Sequence, residues 1–302
     1  MIECKDFPSL PEIRYAEGEL TECALLLEGG AFRSIYSAGV CDVLMENGIH
    51  PTAVAGVSAG ALCGWNMMAR QIGRFARICI LHRDESRYVG VRSLLSDGGL
   101  FGFEFMLKDV EELYPVPAGT REDPRRRFVA VSTDCITGKP FYGEYGVHAP
   151  FRRAIKASAS LAFTSRVVRL RGKELLDGGY AEAFPLEWAK RNGCQKKIVI
   201  LTQPLDARKE PVSSKKMRAF RTCYSQYPAF LKTVERVPAM YNSRRKELAA
   251  MERQGNAFVI APKDEIAMGK MESNPKKLYL YYLHGRRDAL NALDALKEYL
   301  AQ

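Results

Sequence analysis

Twice before about residue 70, a short apolar run ends in a glycine-containing turn that opens into a helix. "CALLLE" (23–28) leads through "GGAFRS" to "SIYSAGVCDVLMENG", and "AVAGV" leads directly into "SAGALCGWNMMARQ". Runs of that length suit strands buried on both faces. In the first helix Ile35, Ala38, Val43 and Leu44 recur at helical spacing until Asn47-Gly48 supplies a C-terminal cap. Strand, turn and helix repeated in this order need crossover connections, which set the strands parallel. The pattern predicts an α/β fold, a three-layer sandwich around a mostly parallel central sheet.

Downstream, "FVAVSTD" (128–134) reads as a strand turned at "TGK" into "PFYGE". "FRRAIKASA" reads as a helix, "VVRLRGKELL" as a hairpin around Gly172, and "KKIVILTQP" as a strand closed by proline. Beyond about residue 212, long amphipathic stretches (Phe220 to Arg253 and Pro275 to Leu300) flank one strand, "AFVIAP". The expected organisation is one α/β domain over residues 1–211, with 212–302 a helical C-terminal extension packed on it.

The bulk composition narrows the function classes. With 302 residues, 47% hydrophobic and 26% charged, the chain is of ordinary globular make-up. No apolar run approaches the roughly 20 residues that span a bilayer. The opening "MIECKDFPSLPEIRYAEGE" lacks the unbroken apolar core of a secretion signal. Eight cysteines without a CxxC pair read as reduced, mostly buried thiols, and hence a cytoplasmic protein with no metal site. The net charge of +10 gathers in runs such as Arg125–Arg127 and Lys215–Arg221. Without zinc-finger spacing or regular aromatic–basic interleaving, it reads as a solvated surface and not a nucleic-acid site. Attraction to anionic membrane gains weight only if the chemistry is lipid chemistry.

That chemistry is suggested by "GVSAG". A serine hydroxyl is a weak nucleophile that needs exposure, a base and donors for the developing oxyanion. A sharp strand-to-helix turn exposes Ser58, and glycines at 56 and 60 remove side chains that would collide there. The helix starting at Ala59 offers free amides and the positive end of its dipole. In "LEGGAFR", Gly29, Gly30 and Ala31 open a second helix and supply further amides, with Arg33 holding the loop or drawing an anion. A nucleotide-phosphate role fits less well, since neither GxGxxG nor a Lys-Ser/Thr follows.

For the base, the four histidines, His50, His82, His148 and His284, have no recognisable setting, and only His148 or His284 could serve. A carboxylate also suffices when it lies within hydrogen-bond reach. Asp177 ends the apolar run of "LLDGGY", followed by two glycines that allow close backbone approach; its rival Asp97, in "SDGGLF", reads as a turn residue.

"EGGAFR", "GVSAG" and "DGG", in that order from about Cys23 to Leu201, resemble the patatin-like phospholipase family. The helical tail, with "NAFVIAPKDE" and "NPKKLYLYYLHGRRDA", resembles the extension of a bacterial branch of it. The resemblance implies a Ser-Asp dyad without histidine: Ser58 as nucleophile, Asp177 as base, amides of the Gly29-Gly30-Ala31 turn as oxyanion donors and Arg33 as the family's arginine. It implies a patatin-like fold, no cofactor, and phospholipid, lysophospholipid or other acyl ester substrates. Three positions depart from the pattern. Ala31 and Ser34 stand where the family usually has glycine, so the loop is expected to avoid positive φ at Ala31, and Phe163 stands where proline is common. "GGLFGFEFML" (98–107) reads as an acyl-chain wall or as plain core. The alternative to a hydrolase is a non-catalytic lipid- or partner-binding protein on the same fold; oligomeric state is not legible.

Overall fold

Leu25, Leu26 and Leu27 have no solvent exposure, as a strand buried on both faces requires. The computed structural model describes residues 6–90, 93, 99, 101–263 and 268–302. Its strands are β1 (Arg14–Tyr15), β2 (Thr21–Leu27), β3 (Pro51–Val57), β4 (Gln71–Ile72), β5 (Arg127–Asp134), β6 (Pro140–Glu144), β7 (Val168–Leu170), β8 (Lys173–Asp177), β9 (Lys197–Ile200) and β10 (Phe258–Ile260). Its helices are α1 (Ile35–Glu46), α2 (Ala59–Met68), α3 (Arg74–Leu81), α4 (Val110–Leu113), α5 (Phe151–Ser158), α6 (Leu186–Arg191), α7 (Ser214–Cys223), α8 (Pro228–Arg253) and α9 (Pro275–Ala301). The main sheet runs β10-β9-β2-β3-β5-β8-β7, with β6 also on β5. From β10 to β5 the pairings are parallel; β6, β8 and β7 join antiparallel.

Alternation along β2 separates two cores. Leu25 and Leu27 pack with Val43, Met68 and Tyr282 from α1, α2 and α9. Ala24 and Leu26 face the other way, onto Leu186 and Trp188 of α6 and Tyr241 and Leu248 of α8. Successive side chains on a strand point to opposite faces, so this split is the three-layer sandwich itself. Strand β10 of the tail extends the same sheet, so the C-terminal segment supplies an edge strand as well as helices. The stretch from Phe220 to Arg253 is two helices and not one. Tyr227, at φ −121° and ψ 69°, precedes Pro228 at the start of α8; proline disfavours helical backbone in the residue before it and favours a helix start at its own position.

Helix α9 lies against α1 at a contact only glycine permits. A Cβ at Gly39 would sit 2.2 Å from the Tyr282 carbonyl oxygen, and one at Gly285 would sit 2.1 Å from that of Tyr36. Both collisions are with backbone, so the helices must separate. Gly39→Ala is expected to cost about 1–3 kcal/mol of unfolding free energy, the usual range for overpacking. A lowered denaturant midpoint at unchanged slope would report it; an unshifted midpoint would contradict the close contact.

Candidate active site

Ser58 follows the last residue of β3 and precedes the first of α2, with φ 56° and ψ −128°. L-residues rarely adopt positive φ, and the strain is held in place by the surroundings. The Ser58 amide donates to Ser158 Oγ at 2.9 Å, and that hydroxyl donates to the Val131 carbonyl at 2.5 Å. A Cβ at Gly56 would lie 2.5 Å from the Gly60 carbonyl, and one at Gly60 would lie 2.7 Å from those of Leu27 and Glu28. The glycine spacing around Ser58 is thus a steric demand of the turn.

Asp177 reaches Ser58 through strand register. On β5, Val131 pairs with Val57 of β3, and the next residue, Ser132, pairs with Asp177 of β8. Ser132 also pairs with Phe141 of β6, which itself overlaps β3 along Val129 to Val131. A strand has two edges, so β3 and β8 share one edge of β5 and β6 takes the other. Where β3 turns away at Ser58, β8 fills the vacated pairing position with Asp177. Gly178 makes the fit possible: a Cβ there would lie 2.2 Å from the Val131 carbonyl oxygen. The aspartate thus enters from an antiparallel strand, not from the carboxyl end of a parallel one.

Asp177 is 3% exposed, and its Oδ1 accepts from the Gly179 amide at 2.8 Å. Burial pushes its carboxyl above the ordinary carboxylate range, while the neighbouring Ser58 hydroxyl, the Gly179 amide and the charges of Lys270 and Lys209 pull it back in part. Its Oδ2 accepts no hydrogen bond of full geometry. The Ser58 hydroxyl is therefore beside this carboxylate but not aligned with it, as is common before substrate binds.

The glycine turn lies alongside. A Cβ at Gly29 would be 3.1 Å from that of Ser58, and one at Gly30 would strike Thr202 Oγ1 at 2.7 Å. Two expectations fail here. Gly29 cannot serve as an oxyanion donor in this arrangement, because its amide already donates to the Ala183 carbonyl at 3.2 Å. Ala31 does adopt positive φ, 49°, which for alanine costs roughly 1–2 kcal/mol. Among the described residues the amides of Gly30, Ala31 and Ala59 have no acceptor, which leaves three donors near Ser58. Ser34 has an ordinary φ of −68°, so nothing in its backbone calls for glycine. Phe163, at φ 69°, holds a conformation closed to proline, whose ring locks φ near −65°.

Beneath the turn lies a buried ion pair. Glu28 accepts from Arg245 at 2.9 and 3.0 Å, from the Tyr241 hydroxyl at 2.9 Å and from the Thr202 amide at 2.7 Å. Residues of α8 thereby anchor the position next to Gly29. Arg245→Ala would strand a carboxylate that is 2% exposed, and is expected to cost about 3–5 kcal/mol. Equilibrium unfolding checks this; a loss below about 1 kcal/mol would mean that the pair is solvated. Arg33 donates to Gln203, with its Nε buried and unpartnered.

A narrow apolar cavity of about 30 Å³ opens at Ser58, lined by Phe32, Leu62, Phe75, Phe101, Met106 and Leu161 among others. That is room for about one water, so an acyl chain must displace side chains to enter. Of the 98–107 segment, Phe101 and Met106 line this cavity while Phe103 and Phe105 are buried in the core; Gly98 and Leu100 lie outside the described residues, as does Asp97. A wider groove of about 750 Å³, between residues 179–184 and α8, does not include Ser58. The histidines are engaged elsewhere: His50 with the Glu17 carbonyl, His82 with Glu85 and Tyr114, His148 with the Glu144 amide and His284 with Asp288.

Sequence reasoning passed over Ser158, whose only signal was the small-residue run "ASAS". It also passed over Glu28 and Arg245, whose pairing no local pattern announces. Among the described residues no helix is long and apolar enough to cross a membrane.

Known proteins bear on this site unevenly. The structure of VipD from Legionella pneumophila is similar at 14% identity and a TM-score of 0.46, covering 95% of this chain and 70% of that one. An uncharacterized Escherichia coli (strain K12) protein, YjjU, is 27% identical over 195 residues, 60% of this chain and 52% of its own. The chain thus spans about half the length of that curated relative. A domain of unknown function (DUF6363) matches residues 227–301. The patatin-like phospholipase model matches residues 25–190, more than half of the chain and the part that carries the glycine turn, the Ser58 elbow and Asp177. By that match the chain belongs to the patatin-like phospholipase family, a family of lipid hydrolases.

Proposed function

We propose that this protein is a serine acyl hydrolase of lipid esters that works through Ser58 and Asp177. Asp177 takes the Ser58 proton as Oγ attacks the ester carbonyl carbon. The amides of Gly30, Ala31 and Ala59 hold the resulting oxyanion. Collapse of this intermediate breaks the ester C–O bond: the alcohol departs with the proton from Asp177, and the acyl group stays on Ser58 Oγ. Water then attacks the acyl carbon, gives its proton to the same carboxylate, and the fatty acid departs as Oγ is reprotonated. The apolar lining at Ser58 suits an acyl chain that displaces its side chains on entry, and the substrates are phospholipids, lysophospholipids or related esters. A charge of +10 favours peripheral contact with an anionic membrane surface.

The observation that carries this reading is the place of Asp177 in the pairing slot that Ser58 vacates on β5. The test is a fluorophosphonate probe followed by peptide mass analysis, alongside fatty-acid release from an ester chain-length panel. The expected result is one adduct, on Ser58, with release that depends on chain length. A folded protein that takes no probe and releases no acid would instead be a lipid- or partner-binding member of the family.

A further inference from the structure

The loop that joins α5 to β7 serves two cavities. Ala159 and Leu161 line the apolar one at Ser58. Ser160, Ser165 and Arg166 line a second, of about 360 Å³, which does not include Ser58. The two are neighbours along the backbone: the Ser160 carbonyl accepts from the Asp177 amide at 2.7 Å. The loop is also held in shape. The Phe163 amide donates to the Tyr224 hydroxyl at 2.8 Å, and Ser160 Oγ donates to the Lys156 carbonyl at 2.7 Å.

The second cavity is cationic. Arg153 and Lys156, three residues apart on α5, line it together with Arg166 and Arg169 and so share one helix face. The Lys156 ammonium lies 5.4 Å from the ring centre of Phe103, another lining residue. Arg169 is paired with Glu174 at 3.0 Å. Among the described residues no carboxylate pairs with Arg153, Lys156 or Arg166. The Ser165 hydroxyl on the same wall is shielded from water and has no hydrogen-bond partner among the described residues. Buried polar groups are nearly always paired, and one left over calls for a water or an ion.

We propose that Arg153, Lys156 and Arg166 form a binding site for a phosphomonoester, apart from the place of ester cleavage. The charge matches. A phosphomonoester carries close to two negative charges at neutral pH and three acceptor oxygens, and guanidinium groups meet phosphate oxygens two at a time. A phosphodiester or a carboxylate brings only one charge. The phosphate can belong to a soluble ester or to a lipid head group, and the test tells these apart.

Calorimetry on Ser58→Ala protein, in phosphate-free buffer at physiological ionic strength, reads the site without turnover. Glycerol 3-phosphate is expected to bind with a Kd below about 1 mM. Arg153→Gln with Arg166→Gln should weaken that binding about tenfold or more, the worth of lost charge-assisted contacts. Both arginines are exposed, so the unfolding midpoint should hold. Lys276→Gln with Lys297→Gln, at exposed positions of α9, removes the same charge elsewhere and should leave the Kd within about twofold. Cosedimentation then compares phosphatidylcholine vesicles carrying phosphatidic acid, a phosphomonoester lipid, with vesicles carrying the same total charge as phosphatidylglycerol. Glycerol 3-phosphate binding that only the arginine variant loses supports the site with a soluble occupant. A preference for phosphatidic acid that only the arginine variant loses supports it with a lipid occupant. Equal loss in both double variants would reduce the cavity to general surface charge and overturn the proposal. Binding of neither probe, or binding that the arginine variant retains in full, would overturn it as well. None of these outcomes depends on Ser58 being a nucleophile.

Discussion

Ser58→Ala is expected to lower kcat for ester hydrolysis by about 10⁴-fold or more, to near the uncatalysed background plus what the donors alone provide. The exchange removes one oxygen and keeps the Cβ. The amide bond to Ser158 at 2.9 Å and the packing of Gly56 against Gly60 do not involve the lost hydroxyl. Stability should therefore change by less than about 1 kcal/mol, within the range of undemanding substitutions. The measurement is fatty-acid release by the purified variant, with circular dichroism and an unfolding midpoint to show that the fold persists. Release by a folded Ser58→Ala protein at more than about a hundredth of the wild-type rate would remove this serine from the mechanism.

Asp177→Asn is expected to cost about 10²–10⁴-fold in kcat/KM, the range for removing a general base. Oδ1 of asparagine can still accept from the Gly179 amide, so the turn survives. The amide cannot take the Ser58 proton, so probe labelling should slow with turnover. The pH profile adds an independent check. In the proposed mechanism the working form of Asp177 is ionised, and burial raises its pKa in the folded protein, so kcat/KM should fall as pH drops through a value above the ordinary carboxylate range. Lys270 supports the ionised form, so Lys270→Gln should move that acidic limb higher still. A limb in the ordinary carboxylate range in wild type, or an Asp177→Asn enzyme with full activity, would direct attention to another base such as His148 or His284.

Much of the fold was legible because its signals are local. The apolar runs "CALLLE" and "AVAGV" stand as strands, "SIYSAGVCDVLMENG" stands as a helix, and Gly172 turns the β7–β8 hairpin at φ 75°. The break before Pro228 was misread because amphipathic periodicity runs through it, although the proline itself was a usable cue. The proposed oxyanion donors were legible only in part. "GGA" shows which amides could donate, while the loss of Gly29 to Ala183 depends on a segment that no nearby residue points to.

The order of residues alone settled the chemical inventory: two strand–turn–helix units, a serine flanked by glycines, and an aspartate followed by two more. Periodicity and glycine spacing act over a few residues, so each is readable one segment at a time. Tertiary structure alone decided which carboxylate lies beside Ser58 and which amides stay free. Those outcomes depend on strand register and on contacts between distant segments. The edge of β5 that β3 abandons is filled by whichever strand pairs there, and only the packed sheet makes that choice.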